Sequence, residues 1–139
     1  MIEIVENEYN LNEDFYREKL ETIANELSIN PEGTIVIKLG EKEEALALNK
    51  QYLDRDYPAD VLSFPFNEEL PEGYYVGDIF ICYPVAGDQA KENGVSLEEE
   101  LFRLMVHGLL HLAGHDHETD DGEMLTLQEQ LIARHFKEK

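Results

Sequence analysis

Residues 96–117 read Ser96-Leu97-Glu98-Glu99-Glu100-Leu101-Phe102-Arg103-Leu104-Met105-Val106-His107-Gly108-Leu109-Leu110-His111-Leu112-Ala113-Gly114-His115-Asp116-His117. Ser96 followed three residues later by Glu99 is a capping-box signature, so a helix should start here with a well-defined end. Its apolar positions Leu97, Leu101, Leu104, Leu109 and Leu112 wrap broadly around the axis, which predicts a helix buried on most sides and central to the domain. The same stretch holds four of the chain's five histidines. His107 and His111 lie four apart and share a helix face, close enough to grip one ion. A straight continuation would set His115 about 12 Å along the axis from His107, too far for a shared ion. Gly114 resolves this: a glycine just past a helix end adopts the left-handed conformation cheaply and folds the chain back. His115 or His117 can then close a three-ligand metal site.

Working outward, 139 residues suit one domain, residues 1–139, with a modest core, and 42% hydrophobic content is ordinary for a globular chain. No apolar run approaches the ~20 residues of a membrane span, and an N-terminus carrying Glu3, Glu6 and Glu8 lacks the features of a signal peptide. A soluble, cytoplasmic protein without membrane partners is expected. A single cysteine, Cys82, excludes an internal disulfide or a cysteine zinc cluster; between apolar neighbours it reads as a strand residue. With 31 acids against 11 bases the net charge is −20, which argues against sequence-independent nucleic-acid binding through basic surface and makes any such contact local.

Met1 to Val5 reads as a strand, and Asn12 caps a helix from Glu13 to Leu27 with Phe15, Leu20, Ile23, Ala24 and Leu27 as its apolar stripe. A turn at Asn30 to Gly33 leads to the β-branched strand Thr34 to Leu39, ended by Gly40. Glu41 to Leu53 is a second helix with Ala45, Leu48, Asn49 and Tyr52 at helical spacing. Val61 to Phe64 is a short strand, Asn67 to Gly73 a polar and mobile excursion, and Val76 to Cys82 another strand. Pro84 suits the first turn of a helix ending near Asn93. A last helix runs from about Asp121 through Met124, Leu127, Gln128, Leu131 and Ile132 to a basic end at Arg134 and Lys137. The fold expected is α+β and α/β-like: a small mixed sheet packed by about five helices around the histidine-bearing one.

Two groups of zinc peptidases carry HExxH and HExxHxxGxxH. His107, His111, Gly114 and His117 fall on the longer pattern, which favours His117 as third ligand with His115 as fallback. Gly108 stands where those enzymes place the glutamate that activates water, so a peptidase would lack its base. A structural zinc site in a non-catalytic factor is the other alternative.

HGLLHLAGHDH resembles the signature of the YbeY family of bacterial metal-dependent endoribonucleases, which also bear on ribosomal RNA maturation. Asp56-Tyr57-Pro58-Ala59-Asp60-Val61-Leu62-Ser63-Phe64-Pro65 resembles that family's DxPTDVLSFP segment, with Leu48, Asn49 and Tyr52 before it, and Gly77-Asp78-Ile79 resembles its GDI strand. The resemblance covers about residues 46–117. It implies one Zn2+ per chain held by His107, His111 and His117, a water-hydrolysed phosphodiester, single-stranded ribosomal RNA as substrate, a part in ribosome quality control, and contacts with the ribosome or its proteins. Two positions depart from the pattern. Leu53 replaces the arginine that the family sets after the tyrosine, leaving Arg55 as the nearest guanidinium, and Ala59 replaces a threonine.

Around the triad, Arg55 is a candidate phosphate contact or a surface ion pair with Asp54 or Asp56. Asp116 is a candidate to orient an imidazole, or a turn residue, and Asp60 has the same two readings. His115 and Ser63 are candidate substrate contacts, with exposure and packing as the respective rivals. His135 reads as a solvated helix-end charge partner.

Overall fold

The computed structural model describes residues 1–5 and 8–136. Glu6 of the acidic N-terminal stretch and Lys137 at the basic end of the last helix lie outside the described residues. The element order is β1 (Ile2–Val5), α1 (Glu13–Glu26), β2 (Thr34–Gly40), α2 (Lys42–Leu53), β3 (Val61–Leu70), β4 (Gly73–Cys82), α3 (Tyr83–Asn93), α4 (Leu97–Leu112) and α5 (Glu123–His135). One sheet forms in the order β1-β2-β4-β3, with β1, β2 and β4 parallel and β3 antiparallel at the edge. The α+β reading with five helices and a mixed sheet therefore holds.

Strand alternation sorts the core onto the two faces of this sheet. Ile2, Ile4, Ile35, Ile37, Ile79 and Ile81 join Tyr16, Leu20 and Ile23 of α1 and the length of α4 in the main core. On the other face Leu62, Phe80 and Cys82 pack with Ala45 of α2. Cys82 is thus a buried strand residue, as its apolar neighbours suggest. Helix α4 buries Leu101, Phe102, Met105, Val106, Leu109 and Leu110 completely, so it is the central helix. Two glycines let it approach the sheet. A Cβ on Gly108 would meet Ile79 Cγ2 at 2.7 Å, and one on Gly77 would meet the Phe64 carbonyl at 2.4 Å and Leu112 at 2.9 Å.

Two expectations need correction. Asn67 to Gly73 is not a mobile excursion, because β3 and β4 continue through it as a hairpin that pairs Glu68 with Tyr75, Glu69 with Tyr74 and Leu70 with Gly73. A register shift between Pro65 and Glu68 interrupts the alternation that would have marked the strand, with Asn67 at φ +52°. In α1 the core-facing aromatic is Tyr16, while Phe15 packs from the margin. Tyr52 lies within α2, as its helical spacing predicts, and is 57% exposed. Among the described residues no helix is long and apolar enough to cross a membrane.

Candidate metal centre

Ser96 accepts from the Glu99 amide at 3.0 Å, so α4 begins as the capping box predicts. Its other end is a Schellman turn. The amides of Gly114 and His115 donate to the carbonyls of His111 and Leu110, both at 3.0 Å, with Gly114 at φ +100°. The reversal turns the chain back over the last turn of α4 and carries His117 to the face holding His107 and His111. One ligating nitrogen from each of the three rings lies within 4.8 Å of the others. The His107 and His111 Nε2 atoms are 3.2 Å apart, and ring centroids are separated by 4.8 to 5.3 Å. Tetrahedral bonds of about 2.0–2.1 Å set ligand nitrogens about 3.3 Å apart, a separation that the His107–His111 pair matches. His117 Nδ1 is buried without a hydrogen-bond partner, so the three rings do not satisfy one another. The donor set fits a metal.

A fourth residue sets the chemistry of His107. Gln128, buried in α5, donates through Nε2 to Glu129 at 3.2 Å, which leaves its Oε1 facing His107 Nδ1 at 2.8 Å. Nδ1 must then carry the proton, and Nε2 presents its lone pair to the site. Glu129 is itself held by Arg103, which pairs with both carboxylate oxygens at 2.9 Å and keeps that carboxyl below its usual range. Burial lowers the pKa of His107, with His117 adding repulsion, while the Gln128 bond opposes the shift. Burial also lowers that of His111, helped by both neighbouring rings. Both effects favour the neutral imidazoles that a metal requires. Sequence reasoning put Gln128 on the apolar stripe of the last helix without a role. A polar residue at a core-facing position between Met124 and Ile132 was the available signal.

The triad lies in a groove walled by the start of β3, the α2–β3 loop and the turn after α4. His115 lines this groove outside the triad, and its amide serves the Schellman turn. Asp116 performs turn duty, since its Oδ1 accepts from the Glu118 amide at 3.0 Å; its charge also reaches His111. Ser63 donates to the Gly108 carbonyl at 3.3 Å and ties β3 to α4 within the groove wall. Arg55 lines the groove and pairs with Glu118 at 3.6 Å rather than with Asp54 or Asp56. Asp60 accepts from the Val61 amide at 2.7 Å and from Gln89 at 3.2 Å, so its carboxylate is held by its own loop and α3. His135, far from the groove, pairs with Glu26 at 3.0 Å.

A mixed-sheet domain with three imidazoles converging in an open groove is the architecture of a metal-dependent hydrolase. The sequence model of the family described as Endoribonuclease YbeY matches residues 2–136. A protein of Sulfurihydrogenibium named Endoribonuclease YbeY is 41% identical over 122 residues, covering 85% of this chain and 80% of the relative. One of the same name from Aliarcobacter butzleri is 44% identical over 115 residues, covering 83% and 80%. Among solved structures, the solution structure of a Thermotoga maritima protein matches with a TM-score of 0.65 and 34% identity, covering 95% of this chain and 87% of that one. The chain belongs to the YbeY endoribonuclease family, whose members named here are hydrolytic nucleases.

Proposed function

We propose that the protein is a zinc-dependent endoribonuclease that cuts single-stranded segments of ribosomal RNA in the cytoplasm, during ribosome maturation and quality control, in contact with ribosomal proteins. The observation that carries this reading is the convergence of three imidazole nitrogens in an open groove, in a chain of a family named for endoribonuclease activity. The reading takes His107, His111 and His117 as the ligands. When bound, zinc supplies Lewis acidity at a phosphoryl oxygen and lowers the pKa of a bound water toward ~7.

The chain's own residues supply the rest. Gln128 holds the His107 ring with its Nε2 lone pair toward the ion, and Asp116 holds the turn that presents His117. Arg55 is the guanidinium within reach of a substrate phosphate, since Leu53 offers no charge where the family pattern has one. Its pair with Glu118 is long and exposed, an interaction worth little in water and readily exchanged for a phosphate. His115 and Ser63 lie along the wall where a sugar-phosphate backbone would pass. A peptidase reading finds no support: Gly108 points at Ile79 and not into the groove, so a glutamate in its place has no room beside the metal.

Metal content and RNA cleavage measured together test the proposal. The zinc-loaded protein is expected to cut single-stranded RNA in preference to duplex, and His117→Ala to lose both zinc and activity. Arg55→Ala is expected to keep its zinc and slow cleavage about tenfold or more. Single-stranded RNA left intact by fully loaded protein would return the site to a purely structural role.

A further inference from the structure

Tyr52, Leu53 and Tyr57 are 57%, 48% and 53% exposed, and all three line the groove that holds the histidines. They are half of the large hydrophobic side chains left exposed among the described residues. Exposed tyrosines on a folded surface have a cost in apolar hydration that a binding partner can remove. Both are held in place. Tyr52 packs against Phe64 with ring centroids 5.2 Å apart and planes at 62°. The loop bearing Tyr57 is pinned by Asn49, wholly buried in α2, whose side-chain Nδ2 donates to the Tyr57 carbonyl at 2.8 Å and whose backbone carbonyl accepts from the Arg55 amide at 3.3 Å.

The charge of the same groove narrows what these rings receive. Asp60, Asp116 and Glu118 face it against the single guanidinium of Arg55, which is already paired with Glu118. A polyanion gains attraction here only from the metal and from Arg55. Base stacking on an aromatic ring carries no net charge and tolerates any sequence, and only an unpaired, splayed base exposes the face it needs.

Resting on the endoribonuclease reading, we propose that Tyr52 and Tyr57 are the specificity-determining residues of the groove: they stack unpaired nucleobases beside the scissile phosphate and so select single-stranded RNA. Recognition is then by base faces rather than by phosphate charge, which reconciles an RNA substrate with a chain of net charge −20.

The test uses zinc-loaded full-length protein and a single-stranded oligoribonucleotide with a mapped cleavage position. Tyr52→Leu and Tyr57→Leu are expected to raise KM about tenfold each with zinc content and kcat little changed, while Tyr52→Phe and Tyr57→Phe restore it. Leu125→Ala, at an exposed apolar residue outside the groove, should match the wild type. An abasic nucleotide next to the cleaved bond should impair the wild type by a similar factor and cost the leucine variants less. Wild-type cleavage with unchanged KM in both leucine variants, or an abasic penalty equal in all proteins, overturns stacking while leaving the nuclease reading intact. Failure of the wild type to cut RNA overturns both.

Discussion

Gln128 has its amide nitrogen committed to Glu129, so its oxygen must serve His107, and this one orientation decides which ring nitrogen is free for a metal. Gln128→Leu keeps the volume and removes the acceptor. Zinc affinity measured by competition with a chelator should fall about 10- to 100-fold, with activity per bound zinc much less affected. Titration of the imidazoles gives a second prediction. Because burial lowers the pKa of His107 and His111, the metal-free folded state binds fewer protons than the unfolded chain, whose imidazoles titrate near 6.5. Stability without metal is therefore greatest above that value and falls as pH drops through it toward the lowered folded values. Urea midpoints of metal-free protein should decline between pH 7.5 and 5.5, and His107→Ala should flatten the decline. At this scale the triad and the turn at Gly114 were legible in the sequence, because both depend on spacing within one short segment. Gln128 was not, since its partner lies 21 positions away and only packing brings them together.

The close approach of α4 to β4 depends on residues without side chains. Gly108 faces Ile79 at a distance where a methyl does not fit, so Gly108→Ala gains about 1 kcal/mol of helix propensity but incurs about 1–3 kcal/mol of overpacking. The net expectation is destabilisation of about 1 kcal/mol, and the cost should shrink in an Ile79→Ala background. Equal costs in both backgrounds, read from a chemical-denaturation cycle, would show that the helix is not seated on Ile79. The same contact explains why Gly108 cannot be read only as a missing catalytic glutamate: it is a packing residue. Helices α1 to α5 and strands β1 and β2 were legible because caps, prolines and apolar periods mark them locally. Val61–Phe64 of β3 and Val76–Cys82 of β4 were legible too, but their continuation into a hairpin was missed because Phe66 and Asn67 break the alternation and because Glu68 and Glu69 are polar. Cross-strand pairing, with Phe66 stacked on Tyr75 at 5.1 Å, holds it together.

Among the described residues, Arg17, Lys38, Lys42, Arg55, Arg103 and Arg134, six of nine lysines and arginines, are each paired with a carboxylate, which leaves little basic surface there for a polyanion. If phosphate is met by the metal and Arg55 alone, the cleavage efficiency on single-stranded RNA should fall only gently with salt. A log–log slope of magnitude below about 1.5 corresponds to about two phosphate contacts. A slope near −4 would require about six and a basic surface that the described residues do not form. The sequence by itself determined the class of fold, the ends of the histidine helix, and three imidazoles at a metal-binding spacing, because caps, glycines and helical periods act within a few residues. Only the tertiary structure decided that Gln128 orients His107 and that Tyr52 and Tyr57 stand exposed beside the triad, whose third member, His117, the spacing already favoured. Those relations arise where α2, α4, α5 and an edge strand meet, and no local spacing encodes the packing that brings them there.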